Sequence, residues 1–454
     1  MTNQTGDRAG KSATKELNSL EDAILYGIKL HQNNQLEGAE SLYLKILEMV
    51  PDQPDVLHYL GMIRYQQGRP VEAIRLILQA IERAPNFPDF YNNTGNIFIS
   101  IDNVEAANAS YLRAIDLAPE RADLHNNLGV ALQIQGDDER AEAAFRRAIE
   151  LDTENFRAYN NLGRLYVARG DSKAATRYYC TSITLNPRQS QAHELLGIAY
   201  RTLGQIEKAT EVFRSWLEDQ PDNPVARHYY LACSGENVPD RASDGYIEQT
   251  FDAFAASFED QLKVRLSYKA PELTAAKLLK YLPPPDKKFD ILDAGCGTGL
   301  CGPLVAAYAA RLVGVDLSNG MLQKAQGKEC YDQLIKAELI AFLDAPEQAG
   351  VWDVIISADT LCYFGPLESV SSAAYRALKT GGLFAFSVED GGGLAAGHAV
   401  NPSGRYAHDA EYVRNSLQKA GFEVLCIDPA ILRTEAGHPV CGLLVVGQAK
   451  VAGE

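Results

Sequence analysis

Glycine recurs at Gly27, Gly61, Gly95, Gly129, Gly163 and Gly197, a constant step of 34 residues. Alanine keeps the same step at Ala39, Ala73, Ala107, Ala141, Ala175 and Ala209, and a third register carries Tyr43, Ile77, Tyr111, Phe145, Tyr179 and Phe213. A fixed interval of this length means a stack of like supersecondary units, each burying its apolar face on the next. The residue types say which unit. Small Gly and Ala let two helices approach closely, and the bulky residue fills the gap between them. Proline at Pro51, Pro85, Pro119, Pro187 and Pro221, with Thr153 the one departure, stops the second helix. The spacing predicts six helix–turn–helix units within residues 16–235. Asn223 to Cys233 begins a seventh first helix and then departs from the pattern, as a capping helix should.

This register resembles the tetratricopeptide repeat, which implies an all-α solenoid with a groove for a protein or peptide partner. Asn-Asn pairs stand at Asn92-Asn93, Asn126-Asn127 and Asn160-Asn161. Asn93, Asn127 and Asn161, one repeat apart, are candidates for a ladder of amides that grips a peptide backbone. The other use of such residues is to cap helices or to bond neighbouring repeats.

The second half carries a different signal. Phe289 to Leu292 is an apolar run that ends in Asp293, followed by glycines at Gly295, Gly297 and Gly299. An Ala-rich stretch, Pro303 to Leu312, reads as a helix, and Leu312 to Val315 as a second strand ending at Asp316, 23 residues after Asp293. Strand, glycine turn, helix, strand and acid begin a nucleotide-binding βαβ unit. In a dinucleotide site the turn faces a pyrophosphate, which Asp293 would repel. S-adenosylmethionine puts a cationic amino-acid group there instead, and Asp316 accepts hydrogen bonds from ribose hydroxyls in either case. The pair favours S-adenosylmethionine.

L-D-A-G-C-G-T-G followed by V-G-V-D-L-S resembles the first two motifs of class I S-adenosylmethionine-dependent methyltransferases. The resemblance runs from about Tyr246 to Lys450 and implies a Rossmann-like, seven-stranded mixed sheet whose final hairpin is antiparallel. Strands are expected at Tyr331–Ile335, Val351–Ala358, Leu383–Val388, Val424–Ile427 and Leu443–Val446, besides the two around the glycine turn. It also implies cofactor contacts at Cys296, Leu317 and Met321, and it puts Glu338 where an acid meets the adenine amino group. Asp359, after the fourth strand, falls at the family's active-site edge.

Between array and sheet, Gly235 to Gly245 is polar and turn-rich, a linker, and residues 236–288 form a helical cap before the core at 289–450. Phe251, Phe254, Phe258 and Leu262 make one face of a helix; Phe251 and Phe254 are assigned to core packing. Tyr268, beside a turn, is the better pocket candidate. The stretch Gly404-Arg405-Tyr406-Ala407-His408-Asp409 resembles an R-Y-x-H element of these methyltransferases and is read as a loop over the acceptor. His408 is the candidate base, and Tyr406 or Arg405 the group that orients a carboxylate.

Residues 1–15 are polar, a disordered tail rather than a secretory signal. No apolar run nears the ~20 residues that span a bilayer, and a formal charge of −16 argues against nucleic acid as the main partner. Eight cysteines are scattered without zinc spacing, so a metal is not expected, and reduced thiols point to the cytoplasm. The sequence predicts a methyltransferase using S-adenosylmethionine on an unidentified acceptor, a protein favoured over a small molecule. Two rivals are a repeat scaffold with a degenerate cofactor module and an NAD oxidoreductase. Residues 236–454 are expected to fold alone.

Overall fold

The computed structural model of the chain describes residues 19–255, 268–435 and 438–450. The expected tail at 1–15, and Phe258 and Leu262 of the aromatic stripe, lie outside the described residues. The chain divides into two compact units: one runs to Arg169 and includes Thr184–Asn186, and the other holds Gly170–Ile183 and everything from Pro187. The division falls inside the repeat array, not at the expected boundary near residue 235.

In the first unit, first helices of 13 residues alternate with second helices of 14, from Leu20–Gln32 to Phe156–Ala168. Pro54, Pro70 and Pro88 start their helices, where a missing N–H costs nothing. The glycine register does what its spacing predicts. A Cβ built on Gly27, Gly95 or Gly129 would lie 2.4, 2.6 and 2.6 Å from the rings of Tyr43, Tyr111 and Phe145, so only glycine lets the ring lie against the partner helix. Ala39, Ala73, Ala107 and Ala141 are wholly buried beside them.

The asparagine ladder is turned inward. Asn127 Nδ2 donates to Asn92 Oδ1 and Asn161 Nδ2 to Asn126 Oδ1, both at 2.9 Å, while Asn93 Nδ2 meets His58 Nε2 at 2.9 Å. The amide donors expected to grip a peptide are used to bond one repeat to the one before it. Buried polar groups need partners, and the residue 35 positions back, one repeat away, is in reach at each of the three.

The second unit takes in most of the helix Ser172–Leu185 and then the helix pair Ser190–Thr202 and Ile206–Asp219, where Phe213 lies 2.2 Å from a Cβ built on Gly197. The capping helix Pro224–Ser234 follows, its N-terminus capped by the Asn223 side chain and its C-terminus by Gly235 in the left-handed region. The expected linker is not loose. Ala242 N donates to Tyr363 O at 2.9 Å and Gly365 N to Asp240 O at 2.7 Å. Phe213, Trp216, Ala226, Tyr229, Ala242 and Tyr246 bury one another in a single cluster, with Tyr363 against it. The last repeat therefore shares a core with the segment that follows it.

The sheet comprises β1 (Phe289–Ala294), β2 (Ala309–Asp316), β3 (Gln333–Lys336), β4 (Trp352–Ser357), β5 (Leu378–Asp390), β6 (His398–Val400), β7 (Tyr406–His408), β8 (Phe422–Glu435) and β9 (His438–Ala449). Its order is β3-β2-β1-β4-β5, all parallel, with β9 antiparallel to β5 and β8 antiparallel to β9. Ile291, Leu312 and Val354 pack into the core on one face, Leu292, Val313 and Ile355 into the core on the other. The chain reverses direction of strand addition between β1 and β4, which opens a crevice at their carboxyl ends.

Three expectations change. The Ala-rich stretch after the glycines is helical only at Gly302–Val305; from Ala309 it pairs with β1, so strand pairing overrides helix propensity. Tyr331 precedes β3 instead of starting it. The stretch read as a loop at 404–409 contains β7, and β6 pairs with it. The reason is the length of β5, whose Glu389 and Asp390 leave an unpaired edge that β7 covers.

Candidate functional site

The crevice is a cleft of ≈ 1130 Å³, counted out to its open mouth. At the end of β1 lies Asp293, 1% exposed, with one hydrogen bond, from Tyr331 Oη at 2.5 Å. Burial pushes its carboxyl up to about 7; Tyr331 opposes the shift and Asp316 adds to it. The glycine turn follows. Gly295 has φ +74 and a built Cβ 2.3 Å from Thr360, whereas Gly297, at φ +52, has open space where its Cβ would be. Gly297 N donates to Asp316 Oδ2 at 2.9 Å and Ser318 N to Asp316 Oδ1 at 2.8 Å, so the turn itself fixes the carboxylate at the end of β2.

Further along, Glu338 Oε2 caps the helix Leu339–Leu343 through Ala341 N at 2.8 Å. Among the described residues its Oε1 is buried without a hydrogen-bond partner, with Arg241 Nη2 at 3.9 Å, and Thr298 Oγ1 is likewise buried without one. Both residues line the cleft, together with Cys296, Leu317, Met321, Tyr268, Ile247 and Phe251. Phe251 is thus a wall of the cleft, and Phe254 is 40% exposed; neither fills the core as the stripe suggested. Asp252, on the same helix as Phe251, joins that helix to the cofactor side by accepting from Ser318 Oγ at 2.5 Å and Gly320 N at 3.0 Å.

The opposite end is charged. Asp359, just past β4, is held at φ +56, with its N–H on Ser387 Oγ at 2.9 Å. Arg433 is 1% exposed and reaches three carboxylates: Asp359 at 3.0 Å, Glu435 at 2.7 Å, and Glu389. A β-bulge between Ile431 and Arg433 aims it there. Arg405 donates to Tyr363 Oη at 3.3 Å and pairs with Glu435. Burial favours the neutral form of Glu435, but Arg405 and Arg433 draw its carboxyl down to about 2. Among the described residues no cluster of His, Cys, Asp or Glu is arranged to hold a metal ion.

Residues 292–386 match the family model described as a methyltransferase domain. Tetratricopeptide models match residues 30–92, 95–136, 120–188 and 160–224. The chain joins tetratricopeptide repeats to a methyltransferase domain. Methyltransferase-like protein 27 of Homo sapiens is 33% identical over 161 residues, 35% of this chain and 62% of that protein. The malonyl-(acyl-carrier protein) O-methyltransferase of Geobacter sulfurreducens is 34% identical over 153 residues, covering 29% of this chain and 55% of its own. This chain spans less than two thirds of each. A crystal structure of MamA covers 36% of this chain at 26% identity with a TM-score of 0.33, and 95% of its own.

Within the methyltransferase domain, Asp293, Gly295, Cys296, Gly297, Asp316, Leu317, Met321, Glu338, Asp359 and Tyr268 all line one cleft. His408 and Tyr406 do not. His408 is wholly buried, its Nε2 on Gly365 O at 2.9 Å, and burial lowers its pKa to about 4. Tyr406 donates to Pro239 O at 2.5 Å, and burial raises its hydroxyl to about 12. Side chains alternate along a strand, so turning Tyr406 and His408 into the packing leaves Arg405 for the cleft. Assigning the base to His408 is corrected on that ground. Arg433 gave no sequence signal, because a bulge in a long hairpin aims it.

Proposed function

We propose that the methyltransferase domain transfers a methyl group from S-adenosylmethionine to an acceptor, and that the repeat array docks a protein or peptide partner. The observation that carries the first part is Asp293: a buried carboxylate with a single neutral hydrogen bond, beside a glycine turn that leaves open space. Such a group calls for a cation. The amino-acid ammonium of the cofactor answers that need, while a pyrophosphate would meet repulsion. The four-residue helix after the turn also lacks the length to offer a pyrophosphate much of a macrodipole.

Glu338 Oε1, which has Arg241 at 3.9 Å but no hydrogen bond among the described residues, suits an adenine amino group, and Asp316, fixed by two backbone N–H groups, keeps lone pairs for ribose hydroxyls. When bound, the cofactor supplies a methyl group on a positively charged sulfur. The protein's work is to orient the acceptor and keep water out; Ile247, Phe251 and Tyr268 wall the cleft for that purpose. Calorimetry with S-adenosylmethionine tests the reading. Asp316→Ala removes charge-assisted hydrogen bonds and is expected to weaken binding by ~10- to 100-fold; unchanged affinity puts the cofactor elsewhere.

A further inference from the structure

We infer that the acceptor presents a carboxylate, and that Arg405 is the residue that reads it. The inference rests on the methyl-transfer reading and narrows it to one acceptor chemistry. Arg433 cannot serve, because each of its three nitrogens already holds a carboxylate. Arg405 differs. Its Nε and Nη1 are engaged by Tyr363 and Glu435, but Nη2 has no hydrogen-bond partner among the described residues, and the side chain, 23% exposed, lines the cleft wall. A planar guanidinium with a free edge is suited to a carboxylate oxygen.

The rest of the wall agrees. Among the described lining residues there is no lysine and no histidine. Asp359 is tied to Arg433 at 3.0 Å, and the two lining tyrosines, Tyr268 and Tyr363, are half-buried phenols whose surroundings raise their pKa, so they hold their protons. An alcohol or an ammonium needs a base before it can attack; a carboxylate arrives ionised. One of its oxygens gives an electron pair to the methyl carbon, the carbon–sulfur pair returns to sulfur, and a methyl ester and a neutral thioether result. No proton moves.

Arg405 and Arg433 face Asp359, Glu389 and Glu435 at this end of the cleft. The sulfonium of a bound cofactor adds a positive charge to that acidic surrounding, so a carboxylate is held better once the cofactor is in place. Transfer then annihilates a charge pair, a change that a dry cleft favours.

The test reads the product's chemistry. The full chain is incubated with tritiated S-adenosylmethionine and an extract of its source cells, and the label is treated with alkali. Methyl esters release volatile methanol; methyl groups on nitrogen, carbon or aryl oxygen do not. Volatile label is expected, in acid-precipitable material for a protein carboxylate and in the soluble fraction for a small acid. Arg405→Met is expected to lower it by ~tenfold or more with cofactor affinity held within a fewfold. A second readout needs no turnover: phenylglyoxal modification at Arg405, mapped by mass, is expected to slow when glutarate is added to the cofactor-loaded protein, and not with dimethyl glutarate. Alkali-stable label overturns the inference whatever the variant does, as does glutarate that leaves Arg405 modification unchanged. If the cofactor itself fails to bind, it is the methyl-transfer reading that falls.

Discussion

Asn127 and Asn161, in the array, give their amide N–H groups to Asn92 and Asn126 at 2.9 Å, repeat onto repeat. Asp293, in the methyltransferase domain, is buried more deeply than those asparagines but among the described residues its side chain receives one hydrogen bond, and Glu338 Oε1 receives none. The same physical rule governs both, since buried polar groups need partners. In the array the partner is the first asparagine of the preceding repeat's pair, 35 residues back, so the polarity stabilises the stack. In the domain those hydrogen bonds are not filled among the described residues, and the proposed reading has a ligand fill them.

The largest effect expected from this contrast concerns where one region stops. The last repeat buries Trp216 and Tyr229 against Ala242 and Tyr246, so a chain starting at residue 236 loses that cover. It is expected to be destabilised by ~3 kcal/mol or more, a cost typical of emptying a core. A chain starting at Pro187 keeps the cluster and is expected to unfold cooperatively and bind the cofactor. Denaturant melts of the two decide it; equal stability would return the boundary to the linker, where the sequence alone put it.

Next come two glycines with opposite consequences. Gly295→Val drives a branched side chain into Thr360 at a positive φ, and cofactor affinity is expected to fall by ~100-fold or more. Gly129→Val drives one into Phe145 and is expected to remove ~1–3 kcal/mol from the array, with cofactor affinity unchanged. Thermal melts alongside cofactor titration separate the two; cross-effects of similar size would break the comparison.

A smaller effect is titratable. The Asp293 carboxyl sits near 7 in the folded chain against 3.8 unperturbed. Raised above its unfolded value, it contributes stability that is fully present below pH 3.8 and lost as pH rises through about 7. Holding a cation requires the ionised form, so cofactor affinity should climb over the same interval. Asp293→Asn should flatten that climb, cost ~10-fold or more in affinity at pH 8, and make the free protein more stable there. The smallest effect is Asn161→Ala, expected to cost ~1 kcal/mol of array stability without touching cofactor affinity.

The array was legible because its physics is local and repeated: the Gly129–Phe145 contact joins residues 16 apart and recurs every 34. The glycine turn and both acids were legible for a similar reason, being a short run whose neighbours in sequence are neighbours in space. The far end of the cleft was legible only in part: Asp359 and Arg405 were named through a resemblance, Arg433 not at all. Arg405 reaches it because β7 fills an edge left by an overlong β5, and Arg433 because a bulge turns one residue of β8 inward. Both depend on register between distant segments, which no spacing records. The same blindness put His408 at the acceptor, since its residue type was visible and its strand face was not.

The central claim is that Asp293 waits for a cation. Calorimetric titration of the full chain with S-adenosylmethionine, S-adenosylhomocysteine and NAD, near pH 7 in two buffers of different ionisation enthalpy, measures it directly. Both adenosyl ligands are expected to bind and NAD not to, with net proton release on binding that disappears in Asp293→Asn. Tight NAD binding, or cofactor binding without that proton release, would contradict the account.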